Sequence, residues 1–324
     1  MGRYIIRRLV QMIPLLFAIS VLSFLIMHLA PGDPTAMYID PTKGAGSNPE
    51  ALQRLRRQLG LDQPLYIQYW KWLTNTLRGN WGYSFINRQP VLDNIMARLP
   101  NTILLSGVAM TMALLAAIPI GILSAFKQYS VFDYTVTALA FFGISVPPFW
   151  LALVLMQVFA NHLGWLPAVG MRSVREQFSG WPAVVDVIKH LILPATVLAM
   201  PSLASWMRYM RSSLLEVIGA EYIRTARAKG LRERTVILRH ALRNALIPLI
   251  TLLGLSLPVL VGGAFIIETV FGWPGMGRLG VNAILARDYP LIMGVTMMSS
   301  VLVILGNLLA DIVYAWVDPR IRYQ

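Results

Sequence analysis

The chain has 324 residues, of which 56% are hydrophobic and 13% charged, with a formal net charge of +13 and a mean hydropathy of +0.59. A soluble domain carries about 25% charged residues, so this composition excludes an ordinary soluble fold; the excess of Lys and Arg reads as charge sorted by a bilayer, not as a nucleic-acid-binding face. The chain has no cysteine, which excludes disulfides, thiol catalysis and cysteine-based metal sites.

In chain order, the first predicted element is an uncharged run from Leu9 to Met27, preceded by Arg3, Arg7 and Arg8. It is long enough to span a bilayer and longer than the apolar core of a cleaved signal peptide, about 7–15 residues. The expectation is a retained first span. Residues 31–98 then form a segment too long for a simple connector. Within it, Asn48, Pro49 and Gly60 bracket a predicted helix as cap, first-turn proline and stop. The stretch "QPLYIQYWKWLTNTLRG" follows, rich in the aromatic rings that favour a membrane–water interface. It reads as a helix resting on the bilayer, a position that also suits docking of a partner.

Further apolar runs lie at about 101–126, 134–160, 190–207, 245–267 and 291–316, which makes six spans. The fourth is the weakest, being short and interrupted by Pro194 and Pro201. Prolines also fall within or beside the other runs at Pro14, Pro119, Pro147, Pro148, Pro248 and Pro258. Each removes a backbone hydrogen bond that a neighbouring helix or a cavity must replace. Basic residues are about twofold denser in the segments that share a side with the termini than in those opposite, which places both termini in the cytoplasm.

No local enzyme signature is present. His28, His162, His190 and His240 form no HExxH-type pair, there is no GxSxG elbow, and no GxxxxGK[ST] phosphate loop occurs anywhere. ATP hydrolysis is therefore not expected of this chain. Inside the spans the clearest ionisable residue is Asp311, one turn after Asn307. An intramembrane carboxylate is a functional candidate by default, and its structural alternative is a partner for an arginine or a backbone donor.

The longest cytoplasmic loop is 208–243. It holds Arg208, Arg211, Arg224, Arg227, Lys229, Arg232, Arg234, Arg239 and Arg243 against Glu216, Glu221 and Glu233. Charge this dense must be wet or bound to a partner. Propensity predicts a helix from Ser212 to Lys229 with Gly230 as its stop, then a second helix from near Arg234 into the fifth span. The small residues Thr225, Ala226 and Ala228 suit close approach to another surface, with Tyr222 and Leu231 as apolar anchors.

"EYIRTARAKGL" followed by "RHALRNALIPLI" resembles the cytoplasmic loop of permeases from binding-protein-dependent ABC importers. The likeness is greatest to the dipeptide/oligopeptide branch, which includes nickel and glutathione systems. "PGDP", "RLPNTILL", "ISVPPFW", "MRSSLLEV", "ETVFGWPGMGR", "RDYP" and "NLLADIVYAWVDPRIR" extend the resemblance over nearly the whole chain. Of the broader importer motif, only Ala226 and Gly230 stand in register. The resemblance implies an all-α membrane protein with six transmembrane helices and the type I ABC importer permease fold, as one permease domain over 1–324. It implies a coupling helix in which Glu221, Tyr222, Thr225, Ala226 and Gly230 meet an ATPase, and it leaves Pro147, Pro148 and Phe149 as candidates for the path or its gate. It further implies a bacterial inner-membrane subunit with four kinds of partner: a second homologous permease, two cytoplasmic ATPases that bind ATP and Mg, an extracytoplasmic solute-binding protein, and a peptide. No cofactor is expected in this chain. A stand-alone secondary carrier is the alternative, and within the family an importer for nickel or glutathione.

Overall fold

The computed structural model describes residues 2–29, 62–174, 176, 178–258 and 264–317. The helix expected over 48–60 lies outside them. The described residues form helices α1 (Gly2–Leu29), α2 (Leu65–Leu77), α3 (Val91–Phe126), α4 (Val131–Ser145), α5 (Pro148–Leu155, continued by a π turn over Met156–His162), α6 (Trp181–Ile218), α7 (Glu221–Ala228), α8 (Glu233–Ser256), α9 (Phe265–Val270), α10 (Met276–Leu285) and α11 (Tyr289–Val317). Five helices are long and apolar enough to span alone: Val10–Leu29 of α1, then α3, α6, α8 and Tyr289–Ile312 of α11. Helices α4 and α5, bent by 107° at their junction, make a sixth span when taken together.

The molecule is built on the pairing of α3 with α6. Leu105, Ala109, Ala113, Ala117 and Gly121 recur every four residues and are buried along one face of α3. Small side chains let two membrane helices approach closely, and dispersion between their backbones then holds them. At Gly121 the approach is so tight that a Cβ would sit 2.8 Å from both the Met207 carbonyl oxygen and the Met210 Cβ.

Several expectations about boundaries are corrected. The run at 190–207, the weakest of the six in sequence, belongs to a 38-residue helix that is the most central of all. Its hydropathy is diluted by polar residues that the bundle accommodates. Asp186 and His190 near its start are buried and satisfied internally, and Pro194 and Pro201 sit inside the continuous helix. The same helix continues to Ile218, so Arg208 and Arg211 lie on a spanning helix, not in the loop where the sequence placed them. The helix expected over Ser212–Lys229 is accordingly two helices, broken at Gly219. The second loop helix begins at Glu233, where the sequence expects it, and runs into the fifth span, which ends at Ser256, earlier than its apolar run.

Helix α2 is tied to α1 through Tyr69. Its Tyr69 hydroxyl is 2.8 Å from Ser20 Oγ, and its ring packs edge-on against Phe17 and Phe24. Ser20 lies at the middle of the apolar stretch of α1, so the contact is made by the long side chain of Tyr69 and not by close packing of the two helices.

Candidate functional site

Helix α7 sits where α6 ends. Gly219 closes α6, and Ala220 takes an extended conformation that turns the chain before Glu221. The helix is only eight residues long, too short to persist in isolation, and is held by its surroundings. Ile223, fully buried, and Ala226, 7% exposed, share one face and pack into the main core with Met207, Met210, Leu214, Val236 and Ala241. Burying the Ile223 side chain contributes about 1.5–3 kcal/mol. Glu221 in the first turn and Arg227 in the last complement the helix dipole. Gly230, at φ +75°, ends the element as the sequence predicts; a residue with a Cβ is strained in that conformation.

Two polar ties fix the helix sideways. Asn244 Nδ2 of α8 donates to the Tyr222 hydroxyl at 2.9 Å. Arg227 grips Glu233 through Nη2 at 2.7 Å and Nε at 3.2 Å, joining α7 to the start of α8. The Arg224–Glu221 pair is largely exposed and contributes little. Of the loop residues singled out in the sequence, Glu221, Tyr222, Thr225 and Gly230 are exposed on this element. Ala226 faces the opposite way, into the chain's own core, so its small side chain serves packing within the molecule. The outcome is a short rigid knob with an anchored inner face and a polar outer face.

Behind the knob lies a clamp that the sequence reading did not identify. Asp133, 3% exposed, accepts from Arg211 Nε at 2.8 Å and Nη2 at 2.7 Å, from the Tyr129 backbone N–H at 3.0 Å and from Ser124 Oγ. It thereby joins the end of α3, the start of α4 and α6. A local signal was available: Ser130 caps α4 and accepts from the Asp133 N–H at 3.3 Å, the serine–acid spacing of a capping motif.

The opposite end of the bundle carries three further buried carboxylates. Fully buried Glu268 accepts from Thr102 Oγ1 at 2.7 Å and from the Arg278 backbone N–H at 2.9 Å, at the N-terminus of α10 where an anion is favoured. Trp273 Nε1 donates to the Asn101 carbonyl at 2.9 Å, and Asn101 donates back to the Pro274 carbonyl at 2.9 Å. The "ETVFGWPGMGR" segment is therefore a fastening between α9, α10 and α3. Asp288 precedes α11 and accepts from Ser84 Oγ at 2.5 Å, pinning the loop before α3. Asp186 accepts from the Ser173 hydroxyl and N–H at 2.7 and 2.8 Å.

Pro147, Pro148 and Phe149 form the 107° corner between α4 and α5 and are exposed there. Asp311 meets Arg8 of α1 at 3.2 Å, the arginine partner named above as its structural alternative. With Asn307 they line a cleft of about 150 Å³ between α1 and α11. The structure does not bring that cleft to α7 or to the Pro147 corner. His162 Nδ1 and His190 Nδ1 are engaged by carbonyls of their own helical segments, Gln157 and Asp186, each at 2.8 Å. No group of three metal-ligating side chains occurs among the described residues.

Residues 117–323 match the family described as binding-protein-dependent transport system inner membrane component, and residues 1–106 match that family's N-terminal region. Over 324 residues the chain is 47% identical to an oligopeptide transport system permease protein, AppB, of Bacillus subtilis (strain 168), covering 100% of both. It is 43% identical to a putative peptide permease protein of Brucella suis biovar 1, covering 99% of each. It is 41% identical to the glutathione transport system permease protein GsiC of Escherichia coli (strain K12), covering 100% of both. Among solved structures, the inward-facing methionine ABC transporter MetNI aligns with a TM-score of 0.54 at 18% identity, over 69% of this chain and 95% of that one, a likeness of fold.

Proposed function

The chain belongs to the binding-protein-dependent transport-system inner-membrane components, and from that premise we propose that it is one half of the membrane path of an ATP-driven peptide importer. The observation that carries this reading is α7: a knob fixed to the core by Ile223 and Ala226 and presenting Glu221, Tyr222 and Thr225 outward. Such an element suits transmission of force from a docked partner better than any chemistry of its own. In this reading α7 seats in a cytoplasmic ATPase, and both termini of the chain face the cytoplasm. ATP and Mg bind to two partner ATPases, and this chain needs no cofactor. A second, homologous permease completes the path, and a solute-binding protein delivers the ligand from the far side. ATP-driven closure of the ATPases favours an outward-open state of the pair and hydrolysis restores the inward one, an alternation driven by differential binding to two states.

Peptide is the cargo that the names of the relatives support. Two are named for peptides, and the third for glutathione, itself a tripeptide. The test is mass spectrometry of what co-purifies with the tagged protein in mild detergent, followed by uptake of labelled peptides by the reconstituted complex. A second permease and ATP-binding subunits, with ATP-dependent uptake, are expected. A protein that purifies alone and transports in vesicles without ATP would overturn the reading in favour of a secondary carrier.

A further inference from the structure

The cleft between α1 and α11 has no part in the account so far. Arg8, Met12 and Leu15 line it from α1, and Asp311, Asn307 and Ile304 from α11. Each line runs from polar to apolar over about 10 Å, and the two run in step. The apolar stretch of α1 begins at Val10, and that of α11 ends at Ile312. Arg8 and Asp311 therefore stand at the level where membrane meets water, while Met12, Leu15 and Ile304 lie within the hydrocarbon. A cleft that is charged at its mouth and apolar at its foot has the profile of a lipid headgroup and the start of its chains.

Two polar groups in the cleft have bonding capacity left. Asp311, with its side chain 27% exposed, has Arg8 as its one partner among the described residues, at 3.2 and 3.4 Å. A carboxylate offers about four acceptor positions, so room remains for a second donor. Asn307 is exposed, and among the described residues no hydrogen bond engages its side chain. It stands one turn further into the span than Asp311, where an amide without a partner is costly. The acceptors found at that depth are the phosphate and ester oxygens of a lipid.

We propose that this cleft binds one molecule of phosphatidylethanolamine. Its primary ammonium donates to Asp311, its phosphate lies beside the Arg8 guanidinium, and Asn307 donates to a phosphate or ester oxygen. The chains then start along Met12, Leu15 and Ile304. The side-by-side cation and anion match a headgroup that carries both charges. A lipid with a phosphate alone would meet the Asp311 carboxylate without a counter-charge, and a trimethylated choline has no N–H to donate. Helix α1 packs chiefly on α11, so the lipid would brace the first span against the last. The inference needs only the membrane-spanning fold and is independent of cargo and of the ATPases.

The test is made on the full chain, purified with the subunits that accompany it. The chain has no native cysteine, so Leu305→Cys, exposed beside Ile304, introduces its only thiol. A bimane attached there is quenched by lipids brominated on their chains. In phosphatidylcholine vesicles, brominated phosphatidylethanolamine is expected to reach half-quenching at about a tenfold lower mole fraction than brominated phosphatidylcholine or phosphatidylglycerol. Equal quenching by all three, or a preference for phosphatidylglycerol, overturns the proposal. Asp311→Asn is expected to bring phosphatidylethanolamine to the level of phosphatidylcholine. Asn307→Leu keeps the Arg8–Asp311 pair and is expected to weaken the preference about threefold. A preference untouched by both variants overturns the assignment. Should Asp311→Asn fail to fold, as read by its melting temperature, Asn307→Leu decides alone. No ATP or peptide enters the assay, so failure of the importer reading leaves its result unchanged.

Discussion

Asp133 and Arg211 show how a charged pair is made tolerable inside this molecule. Removing two charges from water is costly, and the cost is offset only when geometry and additional hydrogen bonds are good. Here the guanidinium binds through two nitrogens, and Ser124 and the Tyr129 N–H satisfy the remaining carboxylate positions. Removal of one partner strands the other, with a typical cost of about 3–5 kcal/mol. Asp133→Ala is therefore expected to lower the melting temperature of the detergent-purified protein sharply. The double variant Asp133→Leu/Arg211→Met is expected to recover part of that loss, which a thermal shift series would read. A double variant less stable than the single one would show that the pair stabilises the fold beyond removing its own penalty. The Arg8–Asp311 pair, with side chains 43% and 27% exposed, is better solvated and is expected to cost less when broken.

At the scale of the element, α7 depends on its inner face and on its stop. Ile223→Ala removes a fully buried side chain, at a typical cost of about 2–5 kcal/mol, which is large beside what an eight-residue helix can supply. It is expected to abolish ATP-driven uptake while the bundle still inserts, with membrane levels checked by immunoblot. Gly230→Val, strained at φ +75°, is expected to impair uptake in the same way; uptake at wild-type rates in both variants would remove α7 from the mechanism. Much of this element was legible beforehand: the Gly230 stop and the second helix starting near Arg234 both stand. The break at Gly219 was passed over although the glycine is itself a stop signal; it caps α6, and extended Ala220 then turns the chain into α7. The rank of α6 was misjudged as well. Hydropathy reports what lipid requires, and a helix at the centre of a bundle can carry polar residues such as Asp186 and His190 that its neighbours satisfy. The buried carboxylates Glu268 and Asp288 were also missed, since their partners Thr102 and Ser84 lie more than 150 residues away.

For the whole molecule, the close contact between α3 and α6 at Gly121 sets the geometry. Gly121→Leu has no room against the Met207 carbonyl and is expected to force the helices apart, lowering both protein yield and thermal stability; a yield and melting temperature equal to wild type would mean that the crossing tolerates a wider gap than its packing suggests. The contact is placed off-centre on α6. From Met207 the helix runs about 39 Å to Trp181 but only about 17 Å to Ile218, where α7 is attached. Because the seam with α3 runs from Leu105 to Gly121, α6 has no single point to pivot on; a push on the knob would move α3 and α6 together as one body, and the far end of α6 with them.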